Sequence, residues 1–559
     1  MALGTRTSTA DLHPAWIRWL IPSVGDLIFV ALLGVLVFTN LSVRLLGDAG
    51  IGWHIRTGQL ILRTHAVPRV DPFSSTMSGR PWFAWEWLYD VVVGWLDSVA
   101  GLNGVVLFTA LLIATVFAGT FRWLLRRGTN VLLALVMVLL AASAAMIHFL
   151  ARPHVVSWLF TVAWLWILES SQKTWGSSPS ASSDSSPIFA ASAIRSGSSW
   201  LLWLLPPLML VWVNVHGGFL VGFVLLAIYA FGAAWQWLRF APAMAGGPFG
   251  EVLRKIGAAR RLRALALTGI LCGLATLVNP YGFHLYVHLY RYLSNRFLMN
   301  HIDEFQSPNF HYVAQKCFAV LLLLTLVALA AKRRAASATQ GLVVLFAVWS
   351  ALYASRNIPV SSLLLIVVIG PWLSDAMQGL AHRRIAIRWR GLASTTFLQR
   401  MEAIEFRLRG HLWVVAAIVL TCSIAARGGK LRTWQLMDAH FSPKRFPVEA
   451  VTYLEQQQVP GPLVSTDYWG GYLIYRLYPR VRMVIDDRHD FYGEEFLKSY
   501  LKMVHVEPGW QDFLQQHQAH CVVAPRDSAL TNILLETSGW QPIYRDAVAV
   551  VFVHTPATP

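Results

Sequence analysis

Asp48 stands where the first long apolar run gives out. The stretch that follows, GDAGIGWHIRTGQLILRTHAVPRVDPFSSTMSGRPWFAWEWLYD at 47–90, sets Asp48, Asp71, Glu86 and Asp90 beside His54, Arg56, Arg63, Arg69 and Arg80. A carboxylate can take a proton from a hydroxyl as general base. An arginine fork pairs with phosphate oxygens through two parallel hydrogen bonds. The residue types therefore suit a site where acids act on a substrate and cations hold its phosphate. A loop held by ordinary ion pairs uses the same types, and spacing leaves both readings open.

Polar clusters recur at the ends of later apolar runs. His148, Arg152 and His154 fall in HFLARPH, and Asn214, His216, Gly217 and Gly218 in NVHGG. The stretch 279–313 carries Asn279, His284, His288, Arg291, Glu304 and His311, and SRNIP carries Arg356 and Asn357. Ionisable groups at membrane depth are functional candidates by default. Apart from His284 and His288 in HLYVH the histidines show no HxxxH spacing, and none shows HExxH, so a zinc site is not indicated. Cys272, Cys317, Cys422 and Cys521 have neither ligand spacing nor a disulfide pattern. Further on, Asp486, Asp487 and Arg488 precede His489 and Asp490. Such a cluster can serve acid–base work or recognise an acceptor, and it also forms salt-bridged turns.

The elements that must position these residues belong to a polytopic α-helical membrane protein. Of 559 residues, 55% are hydrophobic and 13% charged, where a soluble protein carries roughly 25% charged. A span needs about 20 apolar residues. Runs near 26–46, 102–125, 130–149, 153–169, 200–215, 218–238, 264–280, 317–331, 340–354, 358–375 and 411–427 give about eleven spans. The pair at 200–238 is the weakest, interrupted by Pro206, Pro207, Gly217 and Gly218. The first run is too long for a signal peptide core and reads as a retained span.

The net charge of +17 sits mainly in short loops, which points to membrane topology and away from nucleic acid. Arg122, Arg126 and Arg127, then Arg239 to Arg263, then Lys332 to Arg334, then Arg383 to Arg409 fall in alternate loops. The positive-inside rule puts these loops and the N-terminus in the cytoplasm. An odd span count then puts the C-terminus outside, on the side of Asp48 and the polar clusters. The arginines of the first outer loop, 47–101, break that rule and call for carboxylates or an anionic ligand. Within it, 51–62 reads as an interfacial helix, with a second helix through Trp82, Trp85 and Trp87.

The Ser-rich stretch 170–199 reads as a cytoplasmic linker. Residues 1–429 form the transmembrane domain. Residues 430–559 form a non-cytoplasmic α/β domain, with strands at 462–466, 481–486, 521–524 and 547–553 and helices near 447–458, 470–477, 494–504 and 528–538.

An acidic residue at the outer end of span one, followed by interfacial helices, resembles the GT-C superfamily of membrane glycosyltransferases. More closely, the chain is similar to a group of bacterial multispanning proteins. The matching pieces are GDAGIGWHIRTGQLIL, PRVDPFSSTMSGRPW, EWLYD, ARPHVVSW, WVNVHGGFLVG, SRNIP and GGYLIYRLYPRVRMVIDDRHDFYGEEF, spread over nearly the whole chain. The resemblance implies a bacterial inner-membrane enzyme that takes sugar from a polyprenyl-phosphate carrier on the non-cytoplasmic face. The acceptor would be a glycan, lipid or protein.

By position the catalytic acid maps to Asp48. His54, Arg56, Asp71, Glu86, Arg152, His154, Asn214, His216, Arg356 and Asn357 would bind substrate, and Asp486, Asp487 and Arg488 would face the acceptor. The resemblance also admits a divalent cation, magnesium or manganese. One departure stands out: many GT-C enzymes have two adjacent acids, and here Ala49 follows Asp48. A second carboxylate would have to come from Asp71 or Glu86 in space. Two other readings stay open: a polysaccharide polymerase or ligase that needs no carboxylate base, and a non-catalytic transporter or scaffold for lipid-linked substrates.

Overall fold

The computed structural model describes residues 17–176, 198–239, 247–332, 336–382, 395–408, 410–457, 459 and 461–555. The Ser-rich linker between 177 and 197, and Arg333, Arg334, Arg383, Arg384, Arg388, Arg390 and Arg409 of the basic loops, lie outside these residues.

Every apolar run named above falls on helical segments. They include α1 (Val24–Phe38), α2 (Ile51–Thr64), α3 (Trp87–Arg126), α4 (Val131–Ala145), α5 (His154–Gly176), α6 (Leu205–Val213) and α7 (Phe219–Arg239). Then follow α8 (Gly247–Ala275), α9 (Val313–Ala331), α10 (Ala338–Tyr353), α11 (Ile358–His382) and α12 (Leu412–Ala426). Among the described residues six helices are long and apolar enough to cross a membrane, or seven if the bent pair Met401–Arg407 and Leu412–Ala426 is one span. Local chemistry sets their ends. Ser23 and Asp26 form a capping box at α1, and Ser337 and Gln340 form one at α10. Pro206 and Pro207 start α6, where a missing N–H costs nothing. Gly101, at φ 61°, interrupts α3.

The first half of helix α2 is buried between two partners. Its Gly58 abuts α3: a Cβ there would come 1.7 Å from the Asp90 carbonyl oxygen, and one on Gly94 would come 2.7 Å from the Gln59 nitrogen. At its other end Gly52 abuts α13 (Asp467–Leu477), where a Cβ would meet the Gly471 carbonyl oxygen at 2.1 Å. Backbone thus touches backbone on both sides of α2. The second expected helix begins only at Trp87, so Trp82 and Trp85 lie in the loop before it.

The C-terminal residues build a mixed sheet from β1 (Leu463–Ser465), β2 (Cys521–Pro525), β3 (Trp540–Arg545) and β4 (Ala549–His554), in the order β1-β2-β4-β3. β1 runs parallel to β2, and the other pairs are antiparallel. Strand β3 and the helix Trp510–Gln516 were not expected from the sequence. The stretch 481–486 is not a strand of this sheet, contrary to its β-rich pattern. Met483 bridges both Ser74 and Leu463, so the segment divides its backbone groups between the first loop and a single bridge to β1. Ser75 N–H donates to the Met483 carbonyl at 2.8 Å and the Thr76 hydroxyl to the Val484 carbonyl at 2.7 Å.

A buried ion cluster closes the same seam. Arg488 Nη1 lies 2.8 Å from Asp71 Oδ1, and its Nη2 2.7 Å from Asp486 Oδ2. Tyr492 donates to Asp486 at 2.8 Å, and the guanidinium sits 4.7 Å from the Trp82 ring centroid. Each charge has partners, the condition for tolerating such burial.

Three substitutions test this packing. Gly58→Ala forces backbone apart and should cost about 1–3 kcal/mol or more. Gly119→Ala, on α3 with open space around it, should be neutral or stabilising by up to about 1 kcal/mol. Thermal unfolding of the two variants in one detergent separates them. Arg488→Ala strands two buried carboxylates and should cost about 3–5 kcal/mol, measured the same way.

Candidate active site

A cavity of about 580 Å³ lies where the first loop, the start of α5, the α6–α7 turn, the start of α11 and the C-terminal residues meet. Glu86, Arg152, His154, His216, Arg356, Asn357, Asp487 and Arg488 line it. Trp53, Trp85, Leu220, Leu289, Trp349 and Tyr353 give it a largely apolar side. A smaller recess of about 70 Å³ continues past His148, His154, Ser157 and Thr161.

Asp48 reaches this cavity through an arginine. Its Oδ1 accepts the Gly50 N–H at 2.8 Å, while Oδ2 lies 3.3 Å from Arg152 Nε. The far side of the same guanidinium, Nη1, lies 3.8 Å from Asp487 Oδ2. The second carboxylate therefore comes from the C-terminal residues, not from Asp71 or Glu86. Burial pushes the Asp487 carboxyl up to about 7; Arg152 opposes the rise, and the charges of Asp48 and Asp486 add to it. Burial works against the charge on Arg152, but Asp48 and Asp487 outweigh it and hold the guanidinium protonated.

Glu86 stands between two imidazoles. His54 Nε2 lies 3.8 Å from its Oε2, and His216 Nε2 lies 3.8 Å from its Oε1. Burial raises the Glu86 carboxyl to about 8, against the pull of Arg152 and Arg356. His54 is fully buried, stacked on Trp53, with Nδ1 2.5 Å from Asp90 Oδ1. The backbone contact at Gly58 and Gly94 makes this pairing, since His54 and Asp90 lie one turn before those glycines on their helices. Burial holds the His54 imidazole neutral. At His216 the Gly218 N–H donates to Nδ1 at 2.9 Å, and Ser157 Oγ is 2.8 Å from the same atom. The remaining proton then belongs on Nε2, which faces Glu86. Burial keeps this imidazole neutral as well, down to about 3.

Arg356 Nη1 pairs with Glu304 Oε1 at 3.2 Å, and its guanidinium lies over the Phe305 ring at 4.5 Å. This ion pair and the neighbouring Tyr292 hydroxyl still leave most of its five N–H donors available. Asn357 lines the wall and donates to the Ser350 carbonyl at 3.1 Å. His154 Nε2 is spent on the His148 carbonyl at 2.9 Å.

Four expected substrate-binding residues do not line the cavity: His54 is buried behind it on Asp90, and Arg56, Asp71 and Asn214 lie elsewhere. Arg56 donates from Nε to the Tyr475 carbonyl at 2.8 Å and from Nη1 to Gln59 at 2.9 Å, so the packing of α13 meets a cation expected to need an anion. Asp71 is consumed by Arg488 and by the Phe73 and Ser74 N–H groups. Asn214 accepts from Trp87 Nε1 at 2.8 Å and faces a different hollow, beside Val278 and Pro280. Asp486 is buried on Arg488 and Tyr492 and does not line the cavity. Glu304 and Asp90 line it without having been singled out as binding residues. The four-residue step from Glu86 to Asp90 was the available signal for Asp90, because it puts both on one helix face.

A divalent cation does not fit this donor set. Among the described residues no three His, Cys, Asp or Glu side chains converge as metal ligands. The two carboxylates best placed to share an ion already share Arg152.

The sequence matches no family model, and no curated protein matches it. The fold does have solved counterparts. The Archaeoglobus fulgidus oligosaccharyltransferase, tethered with an acceptor peptide containing the NVT sequon, is similar at a TM-score of 0.51, with 13% identity, over 90% of this chain and 68% of that one. Its apo form is similar at a TM-score of 0.52, with 12% identity, over 90% and 69%. At such identity the likeness is one of fold alone: this chain shares the architecture of that oligosaccharyltransferase.

Proposed function

We propose that this chain is a membrane glycosyltransferase of the GT-C type, moving a sugar or glycan from a polyprenyl-phosphate-type donor to a glycan, lipid or protein acceptor. The observation that carries the reading is the pair Asp48 and Asp487 held on Arg152 at the edge of an apolar-sided cavity, in a fold like that of an oligosaccharyltransferase. In this reading the chain has about eleven spans, with a cytoplasmic N-terminus. The cavity and residues 430–559 face the other side of a bacterial inner membrane, and 1–429 form the membrane domain.

The chemistry is a single displacement. An acceptor hydroxyl gives its proton to a carboxylate and forms a new bond to the anomeric carbon. The bond from that carbon to the phosphate oxygen breaks, and its electron pair stays on the phosphate. Asp487 lines the cavity and takes the proton; Asp48 sets the charge of the unit from behind Arg152. Arg356, with N–H donors to spare, meets the charge that develops on the phosphate. Protonated Glu86 offers a further neutral donor beside it. The apolar side suits the lipid portion of the donor.

The purified chain, supplied with polyprenyl-phosphate-linked radiolabelled sugars and membrane extract as acceptor, should yield labelled product. No product from any donor would sink the reading and favour a scaffold or transporter. Asp487→Asn should lower turnover by about 10²–10⁴, and Asp48→Asn by less. If Arg356→Ala and His216→Ala are instead the more damaging, transfer does not use a carboxylate base. Because Asp487 is ionised only above its raised value, turnover should climb as pH rises through about 7. A flat profile from pH 5.5 to 8.5 would remove Asp487 as the base.

A further inference from the structure

We infer that the Arg152 guanidinium is this site's resident cation, standing where a divalent metal would bridge the two carboxylates, so that transfer needs no metal ion. The inference rests on the reading of the cavity as a transfer site.

Three observations carry it. Arg152 presents Nε to Asp48 at 3.3 Å and Nη1 to Asp487 at 3.8 Å, so one planar group spans both acids. The chain reserves the space for it: a Cβ on Gly50 would come 2.1 Å from Arg152 Nη1 and 2.6 Å from Asp487 Oδ2. The arginine is also fixed by its backbone. The neighbouring Ala151 N–H donates to the Leu45 carbonyl at 2.7 Å, and the Arg152 carbonyl accepts the Val155 N–H at 3.2 Å. The guanidinium is therefore anchored to the end of the first span and to the start of α5.

The chemical consequence concerns charge. Magnesium binds oxygen ligands at about 2.0–2.1 Å and nearly octahedrally, and a guanidinium between the same acids blocks that approach. A dication would balance both carboxylates and leave neither basic. A monocation leaves one negative charge over, which is what a proton acceptor needs. Arginine thus keeps the acids together without taking away their basicity.

The test begins with metal binding and uses the full chain in detergent. Mn²⁺ is titrated and followed by electron paramagnetic resonance. The parent should show no site that Asp48→Asn abolishes. Arg152→Ala should gain a Mn²⁺ site that binds at least about tenfold tighter than anything in the parent, since a unit charge is removed at close range. Arg152→Lys, which keeps the charge, should not gain it. A Mn²⁺ site in the parent that is lost in Asp48→Asn would overturn the inference, and this arm stands even if Arg152→Ala does not fold. In the transfer assay, chelation by EDTA should leave the parent's turnover unchanged within about twofold. A loss that Mn²⁺ or Mg²⁺ restores overturns the metal-free step but leaves the transfer reading in place. Absence of product under every condition removes the transfer reading and with it the inferred step; the titration then still decides whether Arg152 excludes a metal from the two acids.

Discussion

Helix α2 touches its neighbours backbone to backbone, and the rest of the site depends on that contact. Gly58 against α3 and Gly52 against α13 leave no room for a methyl group. At this spacing side chains one turn away are forced together. His54 meets Asp90 on one side, and Gly50 lets Asp487 and Arg152 close over the start of α2 on the other. A looser crossing would open gaps at both seams and separate the carboxylates from the arginine between them.

Much of this architecture is legible in one dimension. Apolar runs of the right length mark the membrane helices, because the solvent there tolerates few charges. Capping residues at Ser23 and Ser337 mark two starts. The alternation of helical and β-rich patterns after residue 430 gives most of the C-terminal elements. What pairs with what is harder to read. The segment 481–486 has strand composition yet makes only one bridge to the sheet and gives further hydrogen bonds to residues 73–76, more than 400 positions away. Asp487 is far in sequence from Asp48, and nothing local announces that an arginine will join them. Arg56 misleads for the opposite reason: its charge looks unmatched until a carbonyl of α13 is brought to it.

The cavity carries strong charges but little surplus of either sign. Arg152, Arg356 and Arg488 each face carboxylates, so in the proposed reading a phosphate would meet a paired network and not a bare basic patch. Pairing keeps the arginines affordable inside the protein, since an isolated buried charge costs several kcal/mol. It also means that an anionic ligand gains only where a guanidinium retains unused N–H groups, as Arg356 does. Glu86, kept protonated by burial between two neutral imidazoles, adds a donor without adding charge.

The seam between residues 73–76 and 483–484, locked by Arg488 on Asp71, bears on how the molecule is made. The first loop leaves the ribosome early and its partner emerges hundreds of residues later. Until then residues 73–76 lack their partner segment, Asp71 lacks Arg488, and Asp48 lacks Asp487. The seam and the Asp48–Arg152–Asp487 unit therefore cannot form before residues 483–488 have been made.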